Sequence, residues 1–278
     1  MSLTLRDTVF DWGNHTYVMG ILNITPDSFS DGGLFYHREK AIQQAHFLIQ
    51  SGADILDIGG QSTRPGADII SLAEELDRTI PLIQALRQVS QIPISIDTTR
   101  SEVARTAIAA GADLVNDVSG GTFDERMLTT VKELEVPIVL MHLRGTPKTM
   151  QQFTDYGDLT QEICEFLTEQ VDEALALGIP MEHIILDPGI GFAKTAEQSV
   201  ALLRDLSVFH SLGFPLLVGP SRKSFIGHIL QEPNPQKRVW GTAAACCAAI
   251  AQGADIVRVH DVAEMVQVCR VMDAIWRG

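Results

Sequence analysis

Eight short runs rich in β-branched residues, each followed by a segment compatible with a helix, limit what this chain can become more than any other feature. They are Val18–Thr25, Asp54–Gly59, Pro93–Thr98, Asp113–Val118, Pro137–His142, His183–Asp187, Pro215–Ser221 and Asp255–His260. Strands alternating with helices over a whole chain are the pattern of a parallel α/β sheet. A count of eight, in a chain of 278 residues, predicts a single-domain TIM (β/α)8 barrel over residues 1–278 with its core at about 18–276. An open doubly wound sheet fits the same alternation. It is disfavoured by the count and by the lack of a Gly-rich dinucleotide fingerprint after the first strand.

The helices carry their own punctuation. Leu159, Ile163, Phe166, Leu167, Val171, Ala174 and Leu175 follow helical spacing, and Gly178 with Pro180 closes that segment. Ser71 with Glu74 reads as a capping box opening another helix, which Pro81 should kink. Asn234 and Pro235 read as N-cap and first residue of an Ala-rich helix. The phrase Gly-Ala-Asp recurs at 52–54, 111–113 and 253–255, each time between a helix end and a strand start. It reads as one repeated αβ turn with its glycine just past the helix.

Composition narrows the function. Hydrophobic residues make up 45% and charged residues 20% of the chain, enough apolar material for one core. The net charge of −14 argues against a nucleic-acid surface, though a few cations in a cleft still accommodate a small anion. No apolar run resembles a signal peptide or reaches the ~18–20 residues of a membrane span, so cytoplasm is the expected compartment. Cys164, Cys246, Cys247 and Cys269 lack metal or redox spacing and read as small buried side chains.

In a barrel, reacting groups lie at the carboxyl ends of the strands. Here those ends are polar: Asn23, Asp57, Asp97, Asn116, Asp117, His142, Asp187, Ser221 to Lys223, Arg258 and His260. One polar end is ordinarily a turn or helix cap; a full set that includes Lys and Arg calls for another reason. Strand parity puts Ser95 with Asp97 on one face, and Arg258 with His260 on another, opposite apolar neighbours. Two cations on one inner face predict an anion site, a phosphate by preference. Two long loops follow the first two strands, NITPDSFSDGG (23–33) and GGQSTRPGA (59–67), as expected of lids or substrate loops.

These two loops, with SIDTTR, NDVSGG, MHLRGTPKTMQ, LDPGIGFAKT, VGPSRKSFIG and IVRVHDV, carry a resemblance over about residues 18–262. Together they resemble the dihydropteroate synthase family. One departure is Gln61, where the family usually has Glu; it bears on how the second loop is ordered. The resemblance implies a transferase of folate biosynthesis. It joins p-aminobenzoate to 6-hydroxymethyl-7,8-dihydropterin diphosphate, with Mg2+ bound, and releases 7,8-dihydropteroate and diphosphate. Membership also implies a homodimer with small-molecule substrates, no nucleic acid and no membrane. No second catalytic domain is expected beside the barrel. A methyltransferase of the related pterin barrels, or a non-catalytic pterin-binding paralogue, would have less use for both loops and for Arg258 with His260.

Carried over residue by residue, the resemblance implies that Asp187 accepts from the pterin N3–H and 2-amino group. Asn116, Lys223 and Asp97 take the remaining pterin edges. Asn23, Thr63, Arg258 and His260 meet the diphosphate, and Asn23 is the implied protein ligand of Mg2+. Phe29, Pro65, Phe192, Lys223 and Ser224 form the p-aminobenzoate pocket. Asp97, Lys223 and Arg258 are the implied catalytic residues. Arg64 either binds the p-aminobenzoate carboxylate or pins the loop, while His142 and Asp57 read as scaffold.

Overall fold

An antiparallel hairpin, β1 (Ser2–Leu5) and β2 (Thr8–Asp11), opens the chain, and the sequence pattern did not anticipate it. The structure, a computed structural model, describes residues 2–24, 34–64 and 66–278. Eight parallel strands follow on the eight expected runs: β3 (Tyr17–Asn23), β4 (Ile55–Gly59), β5 (Ile94–Asp97), β6 (Leu114–Asp117), β7 (Ile138–Met141), β8 (Ile184–Asp187), β9 (Leu217–Val218) and β10 (Ile256–Val259). Their order is β8-β7-β6-β5-β4-β3-β10-β9. A single parallel bridge, Leu186 to Leu216, joins the two outer strands. The ring therefore closes, and the doubly wound alternative falls away.

Helices surround it: α1 (Leu34–Gln50), α2 (Leu72–Arg87), α3 (Ser101–Ala110), α4 (Met127–Leu134), α5 (Leu159–Ala176), α6 (Ala196–Arg204), α7 (Ser224–Leu230), α8 (Val239–Ala251) and α9 (Val262–Trp276). Strand alternation splits the apolar residues in two. Val18, Leu56, Ile96, Val115, Leu140 and Val257 pack outward against the helices. Met19, Ile55, Leu114, Val139, Ile185 and Ile256 fill the barrel. Leu3, Leu5 and Phe10 of the hairpin, with Trp12, join this inner cluster and close the amino-terminal end. Apolar filling at that end leaves the polar strand ends together at the other.

The Gly-Ala-Asp turns do two jobs. Gly52, Gly111 and Gly253 have φ of +96°, +114° and +94°, the left-handed ends of helices. Asp54, Asp113 and Asp255 then accept from the backbone N–H of Val18, Ile94 and Leu216 at 2.7, 2.9 and 2.9 Å. Each carboxylate thus ties the start of its own strand to its neighbour.

Several local expectations need correction. Asn234 and Pro235 cap a short 3-10 turn, Pro235–Lys237, and the Ala-rich helix begins later, at Val239. Arg238 is the cause: its buried guanidinium donates to the carbonyls of Glu232 and Pro233 and holds the intervening turn. Ser71 caps α2, but the Glu74 side chain pairs with Arg78 and no box closes. Leu175 lies at the end of the apolar stripe and is 40% exposed. Cys246 and Cys269 are buried, whereas Cys164 and Cys247 are half-buried.

Candidate active site

Strand register assembles the mouth. Asn23 pairs with Gly59, Gly59 with Asp97, and Asp97 with Asn116 across β3 to β6. A Cβ on Gly59 would stand 3.3 Å from Asn23 Oδ1 and 3.5 Å from Asp97 Oδ2. Glycine therefore keeps a gap between those two oxygens. Among the described residues no group of three or more His, Cys, Asp or Glu could hold a metal.

Arg258 crosses the barrel from β10. Its Nε lies 2.6 Å from Asp57 Oδ2 and its Nη2 lies 2.7 Å from Asp97 Oδ2. Nη2 also reaches Asp57 Oδ2 at 2.5 Å. Asp57 is fully buried and also accepts from Asn116 Nδ2 at 3.2 Å. Two carboxylates thus share one guanidinium. Loss of water pushes the Asp97 carboxyl up to about 7; Arg258 opposes this, and Asp57, Glu75 and Asp117 reinforce it. Burial works against the Arg258 charge, but Asp57 and Asp97 outweigh it and raise its pKa.

Asp187 ends β8 on a sharp Asp-Pro-Gly turn. Its Oδ1 accepts from the N–H of Gly189 at 2.7 Å, and its carbonyl accepts from the N–H of His142 at 3.0 Å. Gly189 has φ +72°, and a Cβ there would lie 2.1 Å from the His142 carbonyl oxygen. Only glycine fits. Burial raises the Asp187 pKa, against the Gly189 hydrogen bond and the charges of Lys223, Arg258 and Lys194. Beneath the turn, buried Lys194 donates to the Phe192 carbonyl at 2.9 Å and stands 3.0 Å from His142 Nδ1. Burial first, then Lys194 and Arg144, drive the His142 pKa down to about 2, so the ring is neutral.

Lys223 stands at the N-cap of α7, with Ser224 as the first helical residue. Its ammonium lies 3.6 Å from the centre of the Phe192 ring. Withdrawal from water lowers its pKa to about 7; Asp187 and Asp97 oppose the shift, and Arg258 adds to it. Lysine, aromatic ring and two carboxylates therefore meet from three strand ends, those of β5, β8 and β9.

The anion side differs from expectation in one respect. Burial, then Arg222, Arg258, Arg64 and Lys223, lower the His260 pKa to about 3. His260 is a neutral ring held by Ser221, whose Oγ lies 3.0 Å from Nδ1. The predicted pair of cations is one cation and one neutral imidazole. Positive charge reaches this corner from other elements, which strand parity could not show.

Gln61 folds the second loop on itself. Its amide donates to the carbonyls of Ser62 and Asp68, both at 2.9 Å, and accepts from the N–H of Ile70 at 2.8 Å. A glutamate could not make the two donations. Thr63 and Gln61 line a cavity of about 730 Å³ that reaches Asp97, Val118 and Phe123. Arg64 is exposed on the same loop. The Phe29 and Pro65 assignments lie outside the described residues.

With this geometry in view, comparison with known proteins is decisive. The family model of pterin binding enzymes matches residues 19–260. The Synechocystis dihydropteroate synthase is 64% identical over 275 residues, covering 99% of this chain and 95% of that protein. The chain belongs to the dihydropteroate synthases. Among solved structures, the Clostridium difficile dihydropteroate synthase in the presence of pteroic acid matches with a TM-score of 0.92 and 44% identity, covering 97% of this chain and all of that one. The Xanthomonas albilineans dihydropteroate synthase with 4-aminobenzoic acid matches at 0.91 and 41%, covering 99% and 98%. Membership makes the chain an enzyme of pterinylmethyl transfer in folate biosynthesis.

Sequence reasoning undervalued Asp57 and Lys194. Ile55, Asp57 and Gly59 alternate onto the inner face of β4, and a carboxylate on an inner face requires a buried cation. That signal was available. Lys194 offered none, because its partners come from β7 and the Asp-Pro-Gly turn.

Proposed function

We propose that this dihydropteroate synthase reads its pterin with Asp187, Asn116, Lys223 and Asp97 and its diphosphate with Asn23, Thr63, Arg258 and His260. The observation that carries this division is Arg258. It holds Asp97 on the pterin side at 2.7 Å while its charge reaches His260 on the other. The X. albilineans relative with 4-aminobenzoic acid supports a second substrate of that kind, placed here against Phe192, Lys223 and Ser224. Phe29 and Pro65 complete that pocket by the family resemblance.

Asp187 accepts from two adjacent pterin N–H groups, a bidentate fit for one carboxylate. As the carbon–oxygen bond breaks, its electron pair leaves with the diphosphate and positive charge grows on the pterin methylene. Arg258 stabilises the leaving anion, and the Asp97 carboxylate faces the growing cation. The amine lone pair of p-aminobenzoate then forms the carbon–nitrogen bond and its proton passes to solvent. An aromatic amine is neutral at pH 7, so no strong base is needed.

The amide oxygen of Asn23 is the donor type that Mg2+ prefers. The Asn23 amide oxygen borders the gap above Gly59 and would hold the ion as its protein ligand. Bound there, Mg2+ would supply charge neutralisation of the departing diphosphate.

A homodimer is the proposed assembly. α8 is apolar on both faces: Ala245, Cys246 and Ala249 are buried, while Trp240 is 77% exposed, and α9, packed against α8, exposes Val271 and Ile275 at 60% and 65%. Among the described residues no helix is long and apolar enough to cross a membrane, and cytoplasm is the proposed location.

The test is diphosphate release with pterin diphosphate and p-aminobenzoate, beside Asp187→Ala and Lys223→Ala. We expect release by wild type and a loss of at least a hundredfold in both variants. Steady-state release as fast without p-aminobenzoate as with it, or as fast with a folate methyl donor in its place, overturns the assignment.

A further inference from the structure

The segment joining β9 to α7 is held in a way that the reaction assigned above does not by itself require. Arg222, next to Lys223, has φ +58°, a left-handed conformation that side chains other than glycine rarely adopt. Its guanidinium grips Asp261 with two bonds, Nε to Oδ2 at 3.0 Å and Nη2 to Oδ1. Its backbone N–H donates to Thr242 Oγ1 at 3.0 Å, and its carbonyl accepts from Arg238 Nη1 at 3.0 Å. The same Arg238 nitrogen reaches the carbonyl of Lys223 at 3.3 Å. One residue earlier, Ser221 Oγ accepts from the His260 N–H at 3.1 Å.

The partners come from two other elements. Thr242 and Arg238 belong to α8 and its cap, whereas His260 and Asp261 directly follow β10. The ion pair therefore fastens the end of β9 to the end of β10, one residue from Lys223 and one from His260. An ordinary surface ion pair would leave the backbone in a relaxed conformation and contribute little. This one is half-buried, with side-chain exposures of 26% and 14%, and it accompanies a strained residue.

We infer that Arg222 and Asp261 are positioning residues: their ion pair keeps residue 222 left-handed, and so holds Lys223 over Phe192 while His260 stays beside Ser221. This rests on the assignment of Lys223 and His260 to the two substrates. If the pair is broken, the backbone at 222 relaxes toward negative φ and turns the Lys223 main chain. A shift of about 1 Å in a positioning group can lower a rate by roughly a hundredfold.

The experiment compares wild type with Arg222→Ala, Arg222→Gly and Asp261→Ala, measuring kcat, KM for each substrate and the thermal midpoint. Arg222→Ala and Asp261→Ala should lower kcat at least tenfold while remaining folded. Arg222→Gly loses the same charge yet accepts φ +58° freely, and should stay within about threefold of wild type. Equal losses for alanine and glycine at 222, or an Asp261→Ala kcat within twofold of wild type, overturn the inference. Should Asp261→Ala not fold, the alanine–glycine contrast still decides. A crystal structure of Asp261→Ala reads the backbone without turnover: residue 222 leaving the left-handed region supports the inference, and residue 222 remaining there overturns it. An inactive wild type would instead sink the reaction assignment.

Discussion

Asp97 and Lys223 are the residues whose protonation most directly limits the proposed chemistry. Asp97 is pushed up to about 7 and must be ionised to face a cation, so its contribution disappears as pH falls through about 7. Lys223 is pushed down to about 7 and must be protonated to serve as a cation, so its contribution disappears as pH rises through about 7. A bell-shaped profile of kcat/KM centred near neutrality is expected for the pterin substrate. A flat profile from pH 6 to 8 would exclude these roles. Asp97→Asn keeps the shape of the pocket and removes the charge. Pterin affinity should stay within tenfold by titration calorimetry, while most turnover is lost and residual activity lacks the acid limb.

At the scale of elements, the turn after β8 is the tightest constraint. Gly189→Ala would force a Cβ against the His142 carbonyl, 2.1 Å away in the present backbone. Neither group is the far end of a flexible side chain, so the turn itself must move. We expect a loss of about 2 kcal/mol or more in urea unfolding. Pterin binding should also weaken, because Asp187 and Phe192 sit on the same turn. The hairpin β1–β2 acts at the opposite end of the barrel, where Phe10 is fully buried against Trp12 and Tyr17. Phe10→Ala should cost about 3–5 kcal/mol. Because that end is remote from Asp97 and Arg258, kcat at low temperature should be unchanged while the melting midpoint falls.

For the whole molecule, the outer face of α8 and α9 carries the proposed assembly. Trp240, Val271 and Ile275 expose apolar area that a second copy of the chain would cover. If the proposed homodimer forms, the Trp240→Glu variant should sediment as a monomer in sedimentation velocity. A wild type that already sediments as a monomer removes the assembly proposal and leaves the active site untouched.

Periodicity, turn residues and strand-end polarity were sufficient to determine the eight units, the repeated Gly-Ala-Asp turn and most residues of the mouth. Those signals are local, since alternation and a helix-ending glycine act within a few residues of themselves. Charge state and partnership were decided only in three dimensions. Arg258 and Asp57 are 201 positions apart, and no local pattern reports that they share a salt bridge. The hairpin plug escaped notice because its strands are short and gain their value from the barrel floor beneath which they pack. His260 looked like a second cation from parity alone; burial and the convergence of Arg222, Arg258, Arg64 and Lys223 make it neutral. Barrel closure brings eight strand ends within electrostatic reach of one another, and it is the pairing across the closed ring, which no local pattern reports, that sets which groups at the mouth carry charge.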